Sequence, residues 1–255
     1  MAAPVPAKEF IELHNKLLNL SFDEDLAEIE KIQWRLQTVV RRQPDNIGAR
    51  VALIEAFRTG GNRADAVEQA SHVSQYHSSL ETQELETYLI ELVGLGMYDR
   101  AKPLLDQGRA TQRNASLSIA ARCAAVASGD IPWLEQLGSH NDDTNEANRY
   151  LKILNGSGLA EHFRDHQGIV NGIVGPQQCG VAVSIDRDLD EPDDLAGIVT
   201  YFFVPKGRSE RRELDRDLRA GLEEYYADRS LAPGMYIGHL HTMLTGVPFP
   251  VSRPG

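Results

Sequence analysis

One short joint recurs in this chain at a nearly fixed distance. In "RTGGNRADAVEQA" Gly61 stands five residues before Ala66, and in "LVGLGMYDRAKPLL" Gly96 stands five before Ala101. Ala66 and Ala101 are 35 positions apart, and a weaker copy, "ASGDIPWLEQL", sets Gly129 five before Leu134. A period near 34 is the length of a unit of two helices and two turns, which buries its apolar face by stacking on its neighbours. The residue types fit that reading. A glycine closing the first helix takes the left-handed conformation, and a small residue early in the second lets the two backbones approach. Upstream of the joints, Leu53 and Phe57, then Leu85, Tyr88, Leu89 and Leu92, have the 3, 4, 7 spacing of a buried helical face. Ser78 with Glu81, and Ser21 with Glu24, read as capping boxes that open helices.

Leu53, Phe57, Gly61 and Ala66 in one copy, and Gly96, Tyr98 and Ala101 in the next, where Leu89 occupies a usually small position, resemble the tetratricopeptide repeat family over residues 9 to 140. Pro44, followed by Asp45 and Asn46, stands where that family closes a unit, so the helix from Phe22 to Arg42 looks like the second half of an earlier, irregular one. The chain departs from the pattern at Arg50 and Ala70, where the family has aromatics, and the third copy keeps little beyond Gly129. A generic helical-hairpin array is the alternative.

The resemblance implies a concave groove, lined by the first helix of each unit, that holds a partner segment. Its positions carry over to Gly48, Val51, Ala52, Glu55 and Thr59, to Gln83, Glu86, Thr87, Ile90 and Val93, and to Ser116, Ile119, Ala120 and Cys123. That lining is small, apolar and mildly acidic. It lacks the Lys, Arg and Asn with which some arrays of the family clamp a carboxylate tail. An apolar or weakly basic protein segment is the expected occupant, with Val51, Glu55, Glu86, Ile90, Val93 and Ile119 as its contacts. Another reading has the protein's own C-terminal domain filling the groove.

The texture changes near "GSHNDDTNEANRY". Helices are expected at about Asn145 to Leu154 and Leu159 to Val170. "CGVAVSID" and "AGIVTYFFV" are β-branched and aromatic runs joined by an acidic loop, a hairpin signature. A charged helix behind Ser209 and a third strand in "GMYIGHLHTML" complete a small α+β domain. The fold expected is thus multidomain: a disordered start (1–8), an all-α tetratricopeptide-like helical-hairpin array (9–143), a small α+β domain (144–250) and a tail (251–255).

Four features of the second part bear on chemistry. His162 and His166 share a helix face, and His239 and His241 would share a strand side, a set of four imidazoles of the kind that ligates zinc or another divalent metal. The zinc-protease motif is not met, because Phe163 stands where its Glu belongs. Asp186, Asp188 and Asp190 begin like a calcium loop but lack its Gly at the sixth position and Glu at the twelfth, so a solvated loop is expected. The arginines from Arg208 to Arg219 alternate with carboxylates, and Arg211 to Asp215 and Asp215 to Arg219 are i, i+4 pairs. The glycines of "GIVNGIVGPQQCG" form neither a dinucleotide fingerprint nor a phosphate loop.

A net charge of −11 argues against a nucleic-acid partner, since phosphate neutralisation needs clustered cations. No apolar run reaches the roughly 20 residues of a membrane span. The opening "MAAPVPAKEF" is not a secretory signal, and Cys123 and Cys179 do not suggest a disulfide scaffold, so a cytoplasmic protein is expected. We expect no cofactor and a non-catalytic adaptor, assembly or chaperone-like protein, self-association being a further possibility. The rival expectation is a metal-dependent, hydrolase-like enzyme at the four histidines, with the repeats recruiting substrate.

Overall fold

A computed structural model describes residues 12–13, 15–17, 20, 22–111, 115–139, 146–186, 197–231, 236 and 239–246. The chain is mostly helical, with one small mixed sheet near the C-terminal end. Helix α1 (Phe22–Arg42) kinks at Asp25. It is followed by α2 (Ile47–Thr59), α3 (Arg63–Val73), α4 (Thr82–Gly94), α5 (Tyr98–Thr111), α6 (Ala115–Ser128), α7 (Ile131–Gly138), α8 (Glu146–Gly156) and α9 (Ala160–Ile173). Strands β1 (Gly180–Asp186) and β2 (Gly197–Phe203), helix α10 (Arg208–Asp228) and strand β3 (Leu240–Thr245) complete it.

The glycine joints are hairpin turns. Gly61, Gly96 and Gly129 have φ of 76°, 73° and 70°, and each ends the first helix of a pair. Five residues on, Ala66, Ala101 and Leu134 are fully buried. Side-chain caps start several helices: Asn46 Oδ1 accepts from the Ala49 amide at 2.9 Å, and Asp130 Oδ1 from the Trp133 amide at 3.0 Å. A fourth joint lies beyond the repeats read from the sequence. Gly158 has φ of 71° between α8 and α9, and Phe163, five residues later, is fully buried.

Two caps differ from expectation or fall outside the description. Ser78 sits in a short 3-10 turn, and the helix opens three residues later, where Glu84 accepts from the Glu81 amide at 3.1 Å. Leu80 and Glu81 are extended, which leaves Ser78 too far back to cap. Ser21 lies outside the described residues, as do 1–8 and 251–255.

The first helices α2, α4 and α6 stand side by side as one wall. In the sheet, β1 pairs antiparallel with β2, the expected hairpin, while β3 returns parallel to β2 after the α10 crossover. Strand β2 is central and buried along nearly its whole length. Leu214, Leu218, Leu222 and Tyr226 form the buried stripe of α10 against α9 and β3. One hydrophobic cluster takes in side chains from Leu13 to Leu240, so the helices and the sheet share a core.

Candidate functional site

The wall of first helices presents two halves. Toward their C-terminal ends it carries the protein's own sheet: β1 lies on α4 and α6, and β2 meets α8. The period-2 pattern of β1 turns Val181, Val183 and Ile185 onto the core. Cys123 on α6 hydrogen-bonds the Val183 backbone, and burial pushes its thiol up to about 11.

The segment just before β1 is held like a bound peptide. Gln178 is fully buried, and its Nε2 donates to the Gly94 carbonyl at 3.1 Å, to that of Val93 at 3.4 Å and to the Tyr98 hydroxyl at 3.0 Å. These carbonyls belong to the last turn of α4, whose acceptors lack the usual helical amide partners; that of Val93 also accepts from the Gly96 amide at 3.0 Å. Arg63 Nε donates to the Gln178 carbonyl at 3.0 Å and Nη2 to that of Leu95 at 2.9 Å. Arg58 Nη1 donates to the Cys179 carbonyl at 2.8 Å.

Arg58 also forms a bidentate pair with Glu91 from the neighbouring helix, with Nη2 at 3.1 Å from Oε1. The pair is almost dry, at 12% and 2% side-chain exposure. Burial alone would lower the guanidinium pKa, but the Glu91 charge and hydrogen bond, with Glu55 behind them, carry it above its ordinary value. A buried pair of this kind gains little net stability but is costly to break, so it fixes geometry. Gly94 and Gly180 leave the room: a Cβ on Gly94 would stand 3.0 Å from Arg58 Cδ, and one on Gly180 3.1 Å from Phe203 Cβ.

Of the six expected groove contacts, Val51, Glu55 and Val93 are buried. Glu86 and Ile90 are half-buried, and Ile119 is 41% exposed. The open half of the wall is thus the N-terminal ends of α4 and α6, with Gln83, Glu86, Thr87, Ile90 and Ile119. Gln178, Arg58 and Arg63, which organise the filled half, carry no local sequence signal; the Arg58 bond to Cys179 spans 121 positions.

The histidines are placed differently. His162 and His166 do share a face of α9, but it packs on α10 and not on solvent. His166 is 1% exposed, its Nδ1 is 3.0 Å from the Tyr226 hydroxyl, and burial pushes its pKa down to about 4. His162 is 3.4 Å from the Tyr225 hydroxyl, and Tyr226 stacks on Tyr236 at 3.9 Å. His239 lies in the turn before β3, so it and His241 are not alternate residues of one strand. Among the described residues, no group of three or more His, Cys, Asp or Glu side chains is placed to hold a metal ion. Asp186 ends β1, and Asp188 and Asp190 lie outside the described residues. On α10, Asp215 pairs with Arg219 at 2.9 Å, whereas Arg211 turns back to the Lys206 carbonyl.

A cleft of about 170 Å³ lies at the third hairpin joint, between Tyr98, Lys102, Asp130, Trp133 and Arg164. Of its two cations, Lys102 is engaged structurally: it pairs with Asp130 at 2.6 Å and lies 5.2 Å from the Trp133 ring centroid. No helix among the described residues is long and apolar enough to cross a membrane. Comparison with protein families, curated proteins and solved structures found no match for this chain.

Proposed function

We propose that this is a non-catalytic binding protein, built on a tetratricopeptide-like array, that takes an apolar or weakly basic segment of a partner protein at the N-terminal ends of α4 and α6. The observation that carries the reading is Ile119, 41% exposed in a wall whose other half is closed by the chain's own sheet. The repeat register sets Ile119 in line with Glu86 one helix away, an apolar contact beside a carboxylate. Filling half of the groove from within confines a partner to a short segment and gives it a rigid backstop. The alternative hydrolase needs His162, His166, His239 and His241 together, whereas His166 is occupied by Tyr226 inside a packed helix pair.

Photo-crosslinking from position 119 or 87, with exposed position 68 on α3 as the control, tests this in cells. A discrete protein adduct from 119 and 87 only, lost on Glu86→Lys, is the expected result, and its mass tells a foreign partner from a second copy. Equal adducts from position 68, or none from 119, would contradict the reading.

A further inference from the structure

We propose that the outer face of α1 is a second docking surface, for an acidic amphipathic segment of a partner protein, with Trp34 as its anchor. The proposal does not depend on the groove. Two tryptophans occur in the chain, and they are treated oppositely: Trp133 is 1% exposed, Trp34 63%. The inner face of α1 is already used, because Ile29, Ile32, Leu36, Val39 and Val40 are buried and the helix packs on α2. Trp34 points the other way. Among the described residues its indole makes no hydrogen bond or ring contact, and Leu26, 40% exposed, lies two turns earlier on the same stripe. An exposed indole of this size is the side chain that most often anchors an interface.

Charge selects the partner. From Lys31 to Arg42 the helix carries Lys31, Arg35, Arg41 and Arg42, all exposed, and no carboxylate, in a chain whose net charge is −11. Cations near a helix C-terminus also suit its dipole, which accounts for Arg41 and Arg42 but not for a bare tryptophan between cations. Lys31 is bonded to Glu28 at 3.1 Å, an exposed pair that exchanges at little cost. A polyanion is a poorer fit, since a phosphate backbone offers no aliphatic surface to exposed Leu26 beside Trp34. Carboxylates on one side of a helix and aliphatic side chains on the other satisfy both features at once.

The test uses the full chain and its own fluorescence. The probe is a synthetic amphipathic helix with Glu on one face and Leu on the other and no aromatic residue. The controls are a scrambled peptide of the same composition, single-stranded oligothymidine and phosphatidylserine vesicles. The expected result is a saturable blue shift and protection of Trp34 from acrylamide with the helical peptide alone. Both signals vanish in Trp34→Phe, and affinity falls about tenfold or more in an Arg35→Glu/Arg41→Glu variant whose circular dichroism is unchanged. No saturable shift, an equal response to the scrambled peptide, oligothymidine or vesicles, or a shift that light scattering traces to dimerisation of the chain itself, overturns the proposal.

Discussion

Lowering the pH should loosen the α9–α10 junction through His166. This imidazole is 1% exposed and faces the Tyr226 hydroxyl, and burial holds its pKa near 4 against an ordinary 6.5. Because the folded pKa is the lower one, the unfolded chain takes up the proton first. The stabilisation is therefore complete above pH 6.5 and drains away as pH falls toward 4. A drop of about 2.5 units at 1.36 kcal/mol each comes to roughly 3 kcal/mol, a large part of the stability of a typical domain. Carboxylates titrate in the same window, so the quantity to measure is a difference. Urea unfolding is followed from pH 7.5 to 4 in the native chain and in His166→Gln, and the two stabilities are subtracted at each pH. The gap should close by about 3 kcal/mol between pH 6.5 and 4. Parallel curves would show that His166 is not held neutral by its surroundings, and would reopen the reading of it as an accessible ligand.

Substitutions at three further positions probe a joint, an open position on α9 and the segment held against the wall of first helices. At Gly129, φ is 70° and an added Cβ would stand 2.8 Å from Arg164 Cα, so Gly129→Ala should cost about 2–4 kcal/mol in urea denaturation. On α9, Gly168 has nothing within 4 Å of such a Cβ, and Gly168→Ala should gain about 0.5–1 kcal/mol in the same assay. Removing the Gln178 amide strips hydrogen bonds from the Gly94 carbonyl and the Tyr98 hydroxyl, so Gln178→Ala should cost about 2–4 kcal/mol. Gln178→Glu should cost more, because it sets a carboxylate against the carbonyls of α4; a smaller effect would mean that the side chain is not seated there.

What was legible in the sequence follows from how local each cause is. The joints at Gly61, Gly96 and Gly129 were readable because a left-handed turn and a buried residue five positions on leave a spaced signature. The joint at Gly158 obeys the same spacing but sets Phe163 where the others have Ala or Leu, only 29 positions after Gly129, so the period hides it. The strands announced themselves by composition, yet the parallel return of β3 depends on α10 lying against α9, a long-range matter. That the C-terminal part would pack on the first helices was open as a possibility but its means were not, since Gln178 and the two arginines that hold its segment are unremarkable in their own neighbourhoods. His166 shows the limit of spacing: i, i+4 says that two side chains share a face, and the tyrosines of another helix decide whether that face is wet.

Native-state hydrogen exchange tests most directly whether the sheet is a built-in occupant of the wall of first helices. If β1 is seated on α4 and α6 by Gln178, Arg58 and Arg63, the β1 amides paired with β2 should open with α4, their exchange free energies agreeing to about 1 kcal/mol. Arg63→Ala should lower both together. Fast exchange of β1 while the α4 amides at Leu89 and Leu92 stay protected would show that the sheet leaves these helices on its own, and would contradict the account.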